Sequence, residues 1–273
     1  GADVTGINLA VAPLAAIEGR LVFESDPKLA CAKRRETAAI ETIVFARRYE
    51  PEKKASVAAK TTPLADVSFS ATNYVGTGVG NAKGSFTLRN LPSGSYRIDP
   101  RAPASGWYVR SIAIGAAQTA TARAASLIVA RDGLTLKSGE RISGLTVTIA
   151  EGGASFRGRL TVAEGQSLPP NLRVYLVPAE KESVADVLRF FETRADTDGS
   201  FAMSNIAPGH YWMIERAADE NELAAIRQDS ALRSQVVKEA EKTRTEIQLQ
   251  PCQRIVDYEK RYPQTATDAR PKP

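Results

Sequence analysis

Apolar and polar positions alternate in short runs along most of this chain, and one such run is written twice. Gly84-Ser85-Phe86-Thr87-Leu88-Arg89-Asn90-Leu91-Pro92-Ser93-Gly94-Ser95-Tyr96 returns as Gly199-Ser200-Phe201-Ala202-Met203-Ser204-Asn205-Ile206-Ala207-Pro208-Gly209-His210-Tyr211. Each copy offers alternate apolar positions, an Asn-Leu or Asn-Ile step, a Pro/Gly turn and a strand opened by Tyr, which is the signature of a half-buried hairpin. A second echo precedes it. Val4-Thr5-Gly6-Ile7-Asn8-Leu9-Ala10-Val11 followed by Ile17-Glu18-Gly19-Arg20-Leu21 recurs as Ile142-Ser143-Gly144-Leu145-Thr146-Val147-Thr148-Ile149 followed by Phe156-Arg157-Gly158-Arg159-Leu160. The spacing is about 138 for the opening motif and about 115 for the hairpin, so roughly 20 extra residues sit inside the first copy, between Asp26 and Asp66.

Period-two alternation predicts strands near 4–11, 16–24, 41–47, 66–72, 84–90, 95–99, 107–114, 126–131 and 142–149, then 154–162, 172–177, 189–195, 199–204, 210–215 and 245–250. Short strands at this spacing are the mark of an all-β sandwich or barrel, and the duplication makes it two domains in tandem. The expected division is a lead-in strand over 1–13, a first sandwich over 14–150, a second over 151–250 and a polar tail over 251–273. Ile17, Leu21 and Phe23 should face inward in the first copy, and Phe156, Leu160, Val174 and Leu176 in the second, because side chains two apart share a face. One stretch breaks the pattern. Residues 219–243 contain no Gly or Pro, and place Leu223 with Ile226, and Leu232 with Val236 and Ala240, at helical spacing. That predicts a helical insertion in the second sandwich, with Asp229-Ser230 capping a second helix after a break and the apolar stripe covering a sheet edge or an end of the sandwich.

Composition adds limits. A chain of 273 residues is 43% hydrophobic and 25% charged, ordinary values for a folded globular protein. No apolar run approaches the roughly 20 residues needed to cross a bilayer, and residues 1–15 lack the charged start and apolar core of a signal peptide, so an export signal would have been removed from this chain. Thirty-six Lys and Arg against 31 Asp and Glu leave a net charge of +5, with no concentrated basic stripe of the kind that reads phosphates. Nucleic acid is therefore not an expected partner. Two cysteines and a single histidine, His210, do not make a four-ligand metal set without carboxylates. Cys31 falls in the first copy's insertion and Cys252 just after the last expected strand, so a disulfide between them would fasten the end of the chain to the first sandwich and imply export. Two unrelated thiols are the competing reading.

Arg173-Val174-Tyr175-Leu176-Val177-Pro178, Asp196-Thr197-Asp198-Gly199-Ser200-Phe201 and the Asn205-to-Tyr211 turn, together with the opening Ile/Phe-x-Gly-x-Leu, resemble the carboxypeptidase regulatory-like domains, prealbumin-like sandwiches related to the Cna B-type repeats of surface proteins. The likeness runs from Ala15 to Leu249 and is stronger in the second copy, because the first carries Asn81-Ala82-Lys83-Gly84 in place of the Asp-x-Asp-Gly turn. It implies an all-β fold of two tandem Greek-key β-sandwiches, noncatalytic modules strung together in large exported bacterial proteins, with the lead-in strand as the closing strand of a preceding repeat. It also raises the Lys-to-Asn isopeptide bond that Cna B-type relatives carry, although no Lys, Asn and acid fall on strands that the sequence alone sets face to face.

Candidate chemistry is sparse. Gly76-Thr77-Gly78-Val79-Gly80 lacks the following helix that a phosphate loop requires and reads as a hairpin connection. Asp196-Thr197-Asp198-Gly199 would open a calcium loop, but its twelfth position is Ala207 rather than Glu, so an Asx-type turn explains the same letters. His210 has no spaced nucleophile and acid, and pairs such as Glu18 or Glu182 with Glu192 are too unspecific to mark a glycosidase. No cofactor or catalytic residue is assigned, and the chain is not expected to be an enzyme. Trp107-Tyr108 and Tyr211-Trp212 remain: alternation turns one ring of each pair outward, making Tyr108 and Trp212 the candidate ligand contacts for a sugar, with core packing as the competing reading. The resulting expectation is a structural or adhesive module at the cell surface that contacts a protein partner or self-assembles. The alternatives are a carbohydrate-binding module and an accessory domain of a larger exported enzyme.

Overall fold

The computed structural model describes residues 12–29, 31, 39–49, 74–115, 129–130, 133–218, 222, 226–227 and 229–262. They form fifteen strands: β1 (Ala15–Glu24), β2 (Ile43–Tyr49), β3 (Tyr74–Val79), β4 (Ser85–Leu91), β5 (Gly94–Arg101), β6 (Trp107–Ile114), β7 (Leu134–Leu136), β8 (Arg141–Glu151), β9 (Ala154–Thr161), β10 (Leu172–Pro178), β11 (Phe191–Arg194), β12 (Ser200–Ile206), β13 (Gly209–Ala217), β14 (Glu246–Leu249) and β15 (Arg254–Arg261). A 14-residue helix, α1 (Ser230–Thr243), stands between β13 and β14.

The strands build four sheets whose order repeats. Sheets β4-β1-β8-β6 and β3-β2-β5-β7 make the first sandwich, and sheets β12-β9-β15 and β11-β10-β13-β14 the second. In each sandwich the opening strand pairs antiparallel with the hairpin strand on one side and parallel with the closing strand on the other: β1 lies between β4 and β8, and β9 between β12 and β15. Only β6, which lies antiparallel on β8, has no counterpart in the second sandwich among the described residues.

Each sandwich encloses its own core. Ile17, Leu21, Phe86, Leu88, Tyr96, Val147 and Ile149 belong to the first, with Phe23 packed at its margin; Phe156, Leu160, Val174, Leu176, Phe201, Met203 and Tyr211 belong to the second. The inward sets expected from alternation are therefore the ones that face inward. Each fully buried Leu, Ile or Phe contributes roughly 1.5–3 kcal/mol relative to exposure.

Strand β10 is apolar on both faces, and α1 accounts for the second. Val174 and Leu176 point into the sandwich core, while Tyr175 and Val177 meet Phe190, Ile214, Ile226, Val236 and Ala240 on the outside. The helix thus covers the outer face of a sheet rather than its edge or end, as a continuous apolar strand demands. The Asp229 carboxylate caps α1, accepting from Ala231 N at 2.7 Å and Leu232 N at 3.2 Å. Leu223 lies outside the described residues.

The repeated letters have a common physical cause. Gly84 and Gly199 take φ of +79° and +83°, and a Cβ on Gly84 would stand 2.7 Å from the Leu21 carbonyl oxygen, with one on Gly199 closer still to that of Leu160. Their carbonyls accept from Leu21 N and Leu160 N at 2.7 and 2.9 Å. Gly19 and Gly158 lie beneath the Phe86 and Phe201 rings, where a Cβ would come within 2.5 and 2.8 Å of Cζ. Asn90 and Asn205 both take a left-handed φ, 58° and 59°, the conformation that Asn tolerates best among side-chain-bearing residues.

Several expectations are corrected. Gly76 to Val79 belong to strand β3, not to a hairpin connection, since a Cβ on Gly76 would meet Leu91 at 2.6 Å and one on Gly78 the Thr87 carbonyl oxygen at 2.9 Å. The glycines let β3 approach β4 across the sheet junction. Val129 and Ala130 are helical, where a strand was expected over 126–131. The segment expected to be a tail contains β15, which alternates half-buried Ile255, Tyr258 and Lys260 with exposed charge. The strands expected at 4–11 and 66–72 and the tail beyond Tyr262 lie outside the described residues.

Candidate functional site

The densest convergence of special features is the junction between the two sandwiches. Strand β8 passes into β9 through Gly152-Gly153, whose two N–H groups both donate to the Gly106 carbonyl, at 2.9 and 2.8 Å. No side chain fits here. A Cβ on Gly153 would stand 2.8 Å from the Trp107 carbonyl oxygen, and one on Gly152, at φ +102°, 3.0 Å from Leu29 Cδ1. The Gly152 carbonyl in turn accepts from Cys252 N at 2.9 Å. Cys31 and Cys252 are joined by a disulfide, with Cα atoms 5.2 Å apart across 221 residues of sequence. From the other side, the Asn205 amide faces the carbonyls of Ala104 and Trp107, and with its nitrogen turned toward them it donates to both, at 3.1 and 3.2 Å, so the left-handed Asn of the second hairpin also fastens the first sandwich.

The candidate aromatics are parted by this architecture. Trp107 and Tyr211 are the inward rings: Trp107 meets Phe23 edge to face at 5.5 Å, and Tyr211 is wholly buried beside Phe191. Trp212 packs against the cluster beneath α1, and Tyr108 is half-buried. Both outward rings are therefore partly covered, and they lie on different sandwiches with different surroundings. Alternation signalled their direction; the helix that covers Trp212 adds burial that alternation does not show.

The acidic turn is self-satisfied. Asp198 Oδ1 accepts from Ser200 N at 2.9 Å and Ser200 Oγ at 2.7 Å, its other oxygen accepts from Arg159 at 2.9 Å, and Gly199 N closes the turn on the Asp196 carbonyl at 2.9 Å. The Ser200 donors hold the Asp198 carboxyl below the usual aspartate range. Asn81 does the same work in the first copy, accepting from Lys83 N and Ser85 N at 2.9 and 3.0 Å. Among the described residues no group of three or more His, Cys, Asp or Glu is gathered as a metal site. His210 stands on the surface 3.0 Å from Glu246, and Glu192 is bound by Arg173 across the β10–β11 pair.

Two further arrangements were not visible in the sequence. Lys260 Nζ donates to both oxygens of the buried Glu215 carboxylate, at 2.8 and 2.9 Å, tying β15 to β13 across the second core. At the junction, a cleft of about 440 Å³ is lined by Arg47, Arg97, Asp99 and Arg101 from the first sandwich and by Glu192 and Arg227 from the second. The arginines are scattered along the chain, and only the period-two series Arg97, Asp99, Arg101 on one face of β5 hints at them.

No family model and no curated protein matches the chain. Matching solved structures include the Bacillus anthracis TIE protein, at 11% identity over 91% of this chain and 34% of that one, with a TM-score of 0.26. A streptococcal ancillary pilin matches at 14% identity over 76% of this chain and 55% of its own, with a TM-score of 0.22. A single B repeat unit of the Staphylococcus aureus collagen-binding surface protein matches at 9% identity over 75% of this chain and 86% of its own, with a TM-score of 0.25. The chain thus spans about a third of the first and just over half of the second. At these TM-scores the matches assign it neither a family nor a function.

Proposed function

We propose that this chain is a noncatalytic structural or adhesive unit of an extracellular or cell-surface protein, built from tandem prealbumin-like modules that contact a protein partner or assemble with one another. The observation that carries the reading is the Cys31–Cys252 disulfide, which fastens the last turn of the second sandwich to the first across 221 residues. Such bonds persist in oxidising compartments. Together with the side-chain-free Gly152-Gly153 link, it would hold two cores at a fixed angle, a property useful to a part that transmits force or presents a surface and of no evident use to a flexible linker. The sheet edges and loops of such a unit are available for protein contact. The carbohydrate alternative has little beneath it, because the two rings it needs are partly covered and lie apart.

The test is light scattering with small-angle X-ray scattering on oxidised and reduced protein. The reading expects one rigid dimension when oxidised, spreading on reduction, together with self-association or binding of purified matrix proteins such as collagen or fibronectin. A freely hinged oxidised monomer that binds none of these, but retains a glycan in an array unless Tyr108→Ala is introduced, would overturn it.

A further inference from the structure

The two sandwiches differ by one strand, and the difference leaves an edge open. Sheets β3-β2-β5-β7 and β11-β10-β13-β14 correspond strand for strand, so the stretch between β5 and β7 matches the stretch between β13 and β14. In the first sandwich that stretch forms β6, which lies antiparallel on β8; in the second it forms α1, which covers β10 and β13. Among the described residues the β12-β9-β15 sheet therefore ends at β15, with three strands against the four it faces. Ser155 N donates to the Gln253 carbonyl and Tyr262 N to the Thr161 carbonyl, so by the alternation of a parallel ladder the backbone groups of Arg254, Glu259 and Arg261 turn away from β9. A row of outward N–H and C=O groups is a template for another strand. The margin beside it is apolar: Ile255, Tyr258 and Tyr262 are only half-buried against the second core, and Val256 is 57% exposed.

We infer that residues Val4 to Val11 of a second copy fill this place, antiparallel to β15 as β6 is to β8, and that copies thereby join head to tail. Such joining is one form of the assembly proposed above and rests on that reading. Length, charge and position select this occupant. The run from Val4 to Val11 has eight residues, as β15 and β6 have, and alternation puts Ile7, Leu9 and Val11 on one face of a strand, with Gly6, Asn8 and Ala10 on the other. It carries no charge, so it meets no like-charge opposition from Arg254, Glu259 and Arg261, whereas two β15 edges paired in full antiparallel register would set Arg254 against Arg261 at each end. Donor and edge also stand apart within one chain. Pro13, two residues after Val11, accepts from Gly139 N at 2.8 Å just before β8, while β15 starts beside Gly152, just after β8, so roughly 33 Å of strand parts them. A donor at one end and an edge at the other make a heterologous contact, which propagates as a fibre.

Sedimentation velocity and light scattering on the full oxidised chain provide the test. Wild type should form concentration-dependent species heavier than one chain. Ile7→Asp/Leu9→Asp, which spoils the donor, and Glu259→Pro, which removes an outward N–H while sparing the ladder to β9, should each be monomeric. Mixed together, these two variants should form a species of two chains and no more, because one keeps the edge and the other keeps the donor, and a peptide of residues 3–12 should compete with it. A mixture that stays monomeric would overturn the inference. So would wild-type association that survives both changes, which would leave assembly standing through another surface. A monomeric wild type would also overturn it: a melting temperature lowered by Ile7→Asp/Leu9→Asp would then show that the run pairs within its own chain, and failure to bind any matrix protein as well would remove the assembly reading too. Should Glu259→Pro fail to fold, adding Ile7→Asp/Leu9→Asp to wild type decides, since a copy with an edge and no donor should shorten the assemblies, and unchanged assemblies would sink the idea.

Discussion

The Tyr211 hydroxyl donates to the Ala207 carbonyl at 2.6 Å, four residues upstream, and closes the turn between β12 and β13 from inside the second core. Tyr96 repeats the bond to Pro92 at 2.7 Å in the first sandwich. Arginine completes both devices: Arg189 stacks 5.1 Å from the Tyr211 ring centroid and donates to the Pro208 carbonyl at 2.7 Å, and Arg48 lies against Gly94 beside Tyr96. Tyr211→Phe keeps the ring and leaves a buried carbonyl without its donor, so it should cost about 1–3 kcal/mol. Thermal unfolding measures it.

Burial holds the Tyr211 phenol well above its ordinary pKa, with Arg189 opposing only in part. A group kept protonated by the fold contributes its full stabilisation below its unfolded value of about 10, and that contribution is lost as pH rises beyond it. Wild-type protein should therefore lose stability from about pH 10 upward more steeply than Tyr211→Phe, as read from melting temperatures across an alkaline series. Parallel curves would disprove the coupling.

Gly158 belongs to the motif that opens each sandwich, and its place explains the letter. A Cβ there would press on the Phe201 ring at 2.8 Å and more closely on the Tyr258 carbonyl oxygen, between two strands that have no room to part. Gly158→Ala should cost about 3 kcal/mol or more, in the manner of an overpacked core. Gly165 is a control, since nothing lies within 4 Å of its Cβ position and only its φ of +78° resists a side chain; Gly165→Ala should cost about 1–2 kcal/mol. Denaturant midpoints compare the two.

Much of the fold was legible because a half-buried strand must alternate, and the hairpin letters Gly84-Ser85-Phe86 and Gly199-Ser200-Phe201 mark turns that require a left-handed glycine. What escaped had a physical reason in each case. Strand β3 was hidden because Gly76 and Gly78 are chosen for close backbone approach, which looks like flexibility in a sequence. Strand β15 was hidden because half of it faces water and carries charge. The outer core under α1 was foreshadowed by the unbroken run Val174 to Val177, yet that run does not say which face the helix takes. The junction was least legible of all. Arg47, Arg101, Asn205 and Arg227 meet there from distant parts of the chain, and no spacing records the meeting.

Removing the Cys31–Cys252 bond tests how far the junction depends on covalent closure. A loop of 221 residues gives a chain-entropy stabilisation of about 5 kcal/mol at most, with measured effects commonly 2–5 kcal/mol. The two hydrophobic cores are separate clusters, so the loss should fall mainly on their coupling. Calorimetry of Cys31→Ser/Cys252→Ser should show one transition splitting into two, the earlier one at lower temperature than in the oxidised wild type. A single unchanged transition would mean that Gly106, Gly152 and Asn205 hold the sandwiches together unaided.

The Glu215–Lys260 pair gives the sharpest test of β15. Glu215 is almost wholly buried, with 2% of its side chain exposed against 18% for Lys260, and both its oxygens accept from the ammonium. Lys260→Met leaves the carboxylate inside the sandwich without its cation, which should cost about 3–5 kcal/mol, while the double variant Glu215→Leu/Lys260→Met removes the desolvated charge along with its partner and should return to within about 2 kcal/mol of wild type. The burial of Tyr258 next to Glu215, which raises the phenol's pKa, offers a local probe: ultraviolet titration should move its ionisation toward lower pH once Glu215 is Leu, because a neighbouring negative charge opposes forming another. Equal stability of the single and double variants would show that Lys260 is held by solvent rather than by Glu215, and that β15 is anchored to β9 alone.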